Sequence, residues 1–199
     1  MAPGKKVLDY FGYIHKDLNT IEFTFNKKNS LYIPLFSASI DHSLSVHILD
    51  KWGLTVSSYE LARPIVESYL RAMWVKFCLD DNKIVEGCSQ LHFPKNLVVM
   101  LTDIENSAPS DDSFNSIKQP IEDIIPNMHD FTHGGIQSIS RQYSADEHLS
   151  NYRCEEEKNE LKKLCILISL ISYEKLTPYM KNPKFSLEIK KLSDQLLKQ

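Results

Sequence analysis

The 199-residue sequence is poor in glycine, with 6, in tryptophan, with 2, and in cysteine, with 4. Cys78, Cys88, Cys154 and Cys165 form no Cys-x-x-Cys pair and follow no regular spacing. A chain of this length buries roughly 70% of its unfolded surface and needs no disulfide or zinc to fold. The expectation is reduced, mostly buried thiols in a cytoplasmic protein rather than a disulfide framework. Long apolar runs are also missing. The longest, Leu97–Leu101 and Leu164–Ile168, are five residues each, far below the 18 or more of a membrane span. The opening Met-Ala-Pro-Gly-Lys-Lys lacks the apolar stretch of a signal peptide. Excess charge of one sign is absent, because the net charge is only −3. No strong overall field recruits nucleic acid or anionic lipid. Phosphate loops, dinucleotide fingerprints and Ser-His-Asp sets in recognisable context are missing too. No cofactor, metal, membrane or DNA partner is therefore expected.

What is present is helical spacing. Val7, Tyr10, Phe11, Ile14 and Leu18 recur at steps of three and four, which predicts a first helix. A second apolar segment runs from Leu31 to Trp52 and stops at Gly53. Ser57-x-x-Glu60 has the form of a capping box and predicts a third helix reaching about Leu79. Shorter helical pieces are predicted near Ile84–Leu91 and Leu97–Ile104, with an exposed loop over Ser107–Ser116. Ile117–Thr132 predicts a helix that ends at Gly134-Gly135, and Ile136–Tyr143 fits either strand or helix. Glu155-Glu156-Glu157 before Lys162-Lys163 suits the dipole of a helix running to about Glu174. Residues 184–198 carry a last amphipathic helix. No alternation of period two and no internal repeat stands out. The expected fold is all-α, a single domain over residues 1–199, built as a bundle of about seven helices.

Charge is unevenly placed. Residues 101–150 hold two basic and nine acidic side chains, a net −7, whereas residues 151–199 carry a net +3. The first is a poor lone landing site for RNA. Complementary faces that meet in a homo-oligomer or with a protein partner are one reading, and a plain solvated surface is the other.

Three constellations offer chemistry. Glu60, Arg63, Glu67 and Arg71 fall on one helical face. Arginine is scarce, four against nineteen lysines, and its planar fork suits a carboxylate, a phosphate or an aromatic face held in fixed geometry. The stripe fits a structural Arg–Glu network or a catalytic or ligand-binding role. The second constellation is His129-Asp130-Phe131-Thr132-His133-Gly134-Gly135. Two histidines share a helix face, histidine titrates near neutrality, and the glycines admit close backbone approach or offer N–H groups to an anion. A helix C-terminal cap explains the same residues. Arg141 lies six residues beyond and could fold back toward His133. The third is the line Ser37, Asp41 and Ser45 in the second helix, which suits close helix packing, with Asp41 a candidate partner for an arginine of the third helix.

The stretches Leu61-Ala62-Arg63-Pro64-Ile65-Val66-Glu67 to Trp74, Phe131-Thr132-His133-Gly134-Gly135-Ile136-Gln137, Arg141, and the acid-led helix Glu155 to Tyr173 occur in this order. Over roughly residues 30–175 the chain resembles a group of bacterial all-helical proteins of unknown function. That group is distantly similar to the HEPN superfamily, helical bundles that often dimerise and include metal-independent RNases of toxin–antitoxin and phage-defence systems. The resemblance implies that His133 acts as general acid/base, with His129 or Asp130 at the polar position of the motif. An arginine five to seven residues before His133 belongs to that motif, but Pro126, Asn127 and Met128 stand there. This departure favours a non-catalytic interaction or regulatory module, in a defence or toxin–antitoxin setting. The alternative is a HEPN-like RNase or RNA-binding effector. In that reading His133, Arg63, Glu67, Arg71 and Asp130 are catalytic, and Gly134, Gly135, Arg141, Asp41 and His129 bind the ligand.

Overall fold

The computed structural model describes residues 3–23, 26–84, 92–140 and 155–198. It is all-helical. The elements are α1 (Pro3–Leu18), α2 (Asn29–Lys51), α3 (Thr55–Glu60), α4 (Ala62–Phe77), α5 (Leu97–Ser107), α6 (Asp112–His133), α7 (Ile136–Ser140), α8 (Glu155–Leu176) and α9 (Ser186–Leu197). Among the described residues, seven helices have eleven residues or more, and α3 and α7 are short connectors.

The core is built around α2. It runs against α4 on one side and α8 on the other. Tyr32, Phe36 and Ile40 meet Tyr69, Leu70 and Met73 of α4, with Ile168 and Leu176 of α8, in one cluster of buried side chains. Small polar residues let α2 and α8 come close. Ser39 and Ser43 are fully buried, and the Ser39 hydroxyl hydrogen-bonds the Phe36 carbonyl at 2.7 Å and Ser172 at 2.8 Å. The expected packing line of Ser37, Asp41 and Ser45 therefore sits two residues out of register. Asp41 is exposed, and its carboxylate lies 3.6 Å from His15 of α1, not against an arginine.

The third predicted helix is two helices. Ser57 lies inside α3, and the chain breaks at Leu61. Pro64 favours the break without compelling it, since α6 runs on through Pro120 and Pro126. In a continuous helix from Ser57, Pro64 would sit in the interior, where it removes a backbone hydrogen bond and clashes with the preceding turn. Restarting at Ala62 places it in the first turn, where its missing N–H costs nothing. Glu60 consequently ends α3, exposed, and leaves the stripe of α4.

The loop expected over Ser107–Ser116 is largely helix. The Asp111 carboxylate accepts the Phe114 N–H at 3.1 Å and caps α6, so the helix begins five residues before the predicted Ile117. Asp111 also forms an ion pair with Lys175 of α8. Ile136–Ser140 is helical. Ile84 follows a single 3₁₀ turn at Asp81–Lys83, and the rest of the helix predicted there, 85–91, lies outside the described residues. Cys78 is half-buried and Cys165 buried, both with free thiols. Cys88 and Cys154 lie outside the described residues. No helix among the described residues is long and apolar enough to cross a membrane.

Candidate functional site

The α4 stripe assembles by local geometry. Side chains four apart on a helix are neighbours, and Glu67 takes both arginines. Its Oε1 accepts from Arg63 Nε at 2.7 Å, and its Oε2 lies 3.2 Å from Arg71 Nη2. Glu67 is the least exposed of the three, with 19% of its side-chain surface open against 32% and 39% for the arginines. One carboxylate thus fixes two guanidinium groups whose outer edges remain reachable. Both pairs are internal to α4 and join it to nothing else.

The contacts between elements come from the arginines' other faces. Arg71 packs its guanidinium over the Phe93 ring, 5.2 Å from the centroid. Its Nε is buried without a hydrogen-bond partner. Beside it, Trp74 meets Phe93 edge-on and donates its indole N–H to Asp103 at 3.1 Å. Arg63 reaches across to α6, where its Nη1 lies 3.4 Å from Nδ1 of His129. A guanidinium only donates, so this contact selects the His129 tautomer whose Nδ1 is the acceptor. The His133 ring is next in line, 4.5 Å from that of His129 between centroids. Both imidazoles are exposed. The result is an open row along the α4–α6 surface: Arg71, Glu67, Arg63, His129 and His133.

The two glycines serve the helix end. Gly134 adopts φ +64°, the left-handed conformation that closes a helix without the steric cost of a Cβ. The Gly135 N–H then donates to the Asp130 carbonyl at 2.8 Å. A Cβ on Gly135 would fall 2.5 Å from Cγ of Asp130, so a larger residue there would have to displace that carboxylate. Asp130 is half-buried beneath Gly135. Arg141 lies outside the described residues.

Two features escaped the sequence reading. The first is an acid-rimmed groove of 410 Å³ between α6 and α8. Ile124, Leu161 and Leu164 supply its apolar surface, and Asp123 and Glu160 stand among its acids. Its charge comes from both halves of the chain, because the net +3 of residues 151–199 hides the acidic first turns of α8. The second is Asp17. It is 1% exposed and accepts hydrogen bonds from the Tyr173 hydroxyl at 2.7 Å and the backbone N–H groups of Lys184 and Phe185 at 3.0 and 3.1 Å. An acid three residues after Ile14 and next to Leu18, beside the apolar face of α1, was the legible signal.

No curated protein and no solved structure matches the chain. A family model does, over residues 36–193, a span that holds the α4 stripe, the two histidines with their glycine cap, and α8 through to most of α9. The chain belongs to that family, DUF6988, a family of unknown function.

Proposed function

We propose that this protein is a non-catalytic helical interaction module that associates with a second copy of itself. The observation that carries the reading is the row Arg63–His129–His133. Its arginine is held in place by Glu67 and turned outward, while the acid-rimmed groove of the next surface offers the opposite charge. Motif residues that suggest chemistry also have structural work. Gly134 and Gly135 end α6, Glu67 organises its arginines, and Asp130 lies beneath Gly135. Complementary charge across an interface sets register and orientation between partners more than raw affinity. The HEPN resemblance, with its dimerising bundles and its defence and toxin–antitoxin members, supports the same reading.

Sedimentation equilibrium tests it. At micromolar concentrations the protein is expected to form a dimer or larger species. The double variant Arg63→Ala/His129→Ala, at exposed or half-exposed positions, is expected to dissociate more readily by about tenfold, a little over 1 kcal/mol. A wild-type protein that stays monomeric at about 0.1 mM, where even a Kd of about 10 µM would leave most chains paired, would overturn the reading.

One observation favours a second reading, a metal-independent RNase. Arg63 and His129 converge from separate helices, and a cation held beside an imidazole can stabilise the charge that develops in phosphoryl transfer. Cleavage of total tRNA without added metal, lost in a folded His133→Ala protein, would establish it. Equal cleavage by both proteins would remove His133 from any such role.

A further inference from the structure

Away from the α4–α6 row, α1, α2, α8 and α9 surround a cavity of 290 Å³. Its size is at the small end of ligand-binding pockets. Val7 and Leu8 of α1, Ile48 of α2, Ile166 of α8 and Leu196 of α9 supply its apolar lining. Leu8 and Ile48 keep 46% and 39% of their surfaces exposed, so an apolar guest would cover area now facing water.

The polar lining is mainly cationic. Lys51, Lys162 and Lys163 line it against a single acid, Asp50. These ammonium groups are not equally committed. Lys162 pairs with Asp50 at 2.8 Å with both side chains largely shielded. Lys163 has only Glu160 at 3.4 Å, with 75% of the Glu160 side chain in solvent, and such pairs are weak. Lys51 is exposed and has no ion pair among the described residues. One free ammonium and one loosely held ammonium therefore stand beside an apolar surface. His47 lines the same cavity, and its Nε2 is buried without a hydrogen-bond partner. Burial pulls its imidazole down to about 4, so at neutral pH it is an uncharged part of the wall.

We propose that this cavity binds a small monocarboxylic acid, with its hydrocarbon body against Leu8, Ile48 and Ile166 and its carboxylate at Lys51 and Lys163. The apolar walls call for an apolar body. A bare phosphate or sulfate would leave them wet, and Asp50 on the lining repels a dianion.

Hexanoate is the probe. Purified full-length protein is titrated with hexanoate and, separately, with hexylammonium, followed by calorimetry and by methyl and imidazole NMR resonances. Hexanoate is expected to bind with a Kd of about 1 mM, as suits eight heavy atoms in a partly open site. It should move the resonances of His47, Ile48 and Ile166, and bind about tenfold tighter than hexylammonium. Lys51→Glu/Lys163→Glu is expected to lose about tenfold in hexanoate affinity with an unchanged melting temperature. If the double variant melts early, Lys51→Glu alone, at an exposed position, carries the comparison. Equal binding of the two probes, resonance shifts confined to other helices, or a charge-reversed protein that binds as wild type would each overturn the proposal.

Discussion

Asp17 ties three segments of the chain together from a buried position. Its two oxygens join α1 to the Tyr173 hydroxyl of α8 and to the two N–H groups that lead into α9. A buried carboxylate is tolerated when its lone pairs are filled. Removing it strands the Lys184 and Phe185 N–H groups and leaves the Tyr173 hydroxyl with Ser186 alone, at 2.9 Å, and a hydrogen bond to a charged group contributes about 1.5–3 kcal/mol. Asp17→Ala is expected to cost about 3 kcal/mol in urea unfolding. A loss below about 0.5 kcal/mol, the range of ordinary surface substitutions, would show that the freed N–H groups find other partners. His47 makes a different demand. Burial, with a smaller push from Lys162 against a pull from Asp50, lowers it from 6.5 to about 4 in the folded state. The folded protein then binds fewer protons than the unfolded chain between those values. Stability is full above pH 6.5 and falls as the pH drops toward 4. The loss by pH 4 is expected to be about 2–3 kcal/mol. His47→Gln should flatten that part of the stability–pH curve, and a slope unchanged in this variant would assign it to other groups.

At the scale of elements, helix ends decide what the periodicity leaves open. Asp111 is the clearest case. Burial opposes its charge, but Lys175, the Ser113 hydroxyl and the Phe114 N–H outweigh that and hold its carboxyl below the usual carboxylate range. Its contribution is therefore present at neutral pH and lost as the pH falls through the depressed value. Asp111→Ala is expected to cost about 2 kcal/mol at pH 7 and little at the acid end of the curve. A cost equal at both pH values would mean that shape, not charge, holds α6 to α8. The same helix end was missed in the sequence because Ser-Asp-Asp-Ser-Phe has the composition of a loop. Only the burial of Phe114 and Ile117 makes it a first turn. The spans of α1, α2, α8 and α9 were readable to within a few residues, since their apolar positions keep helical steps. In α2 the register of the buried serines was not, because apolar residues recur at positions all round that helix in the sequence and no face stands out. The Arg63–Glu67–Arg71 network was legible from spacing alone, being local. Its contact with His129, sixty-six residues away, depends on how α4 and α6 cross, which no local pattern encodes.

For the whole molecule, the proposed self-association would be directional, because the row and the groove are different surfaces. One carries Arg63, His129 and His133; the other is the groove with Asp123 and Glu160. If the row of one copy docks on the groove of the next, each protomer brings two different half-sites, and a heterologous contact of this kind can be rebuilt from damaged halves. Arg63→Ala/His129→Ala spoils one half-site, and Asp123→Lys/Glu160→Lys spoils the other. Each variant alone is expected to sediment as a weaker assembly than wild type. An equimolar mixture should recover a heterodimer, because an intact row and an intact groove are then present on different chains. Salt supplies an independent check. The screening length falls from about 10 Å at 0.1 M to about 3 Å at 1 M, so an interface set by exposed charges should weaken by about tenfold across that range. Dimers that survive both the salt and the paired variants would instead be held by apolar surface elsewhere on the molecule. A mixture that stays as dissociated as its components would rule out the row-to-groove contact even if the wild-type protein is a dimer.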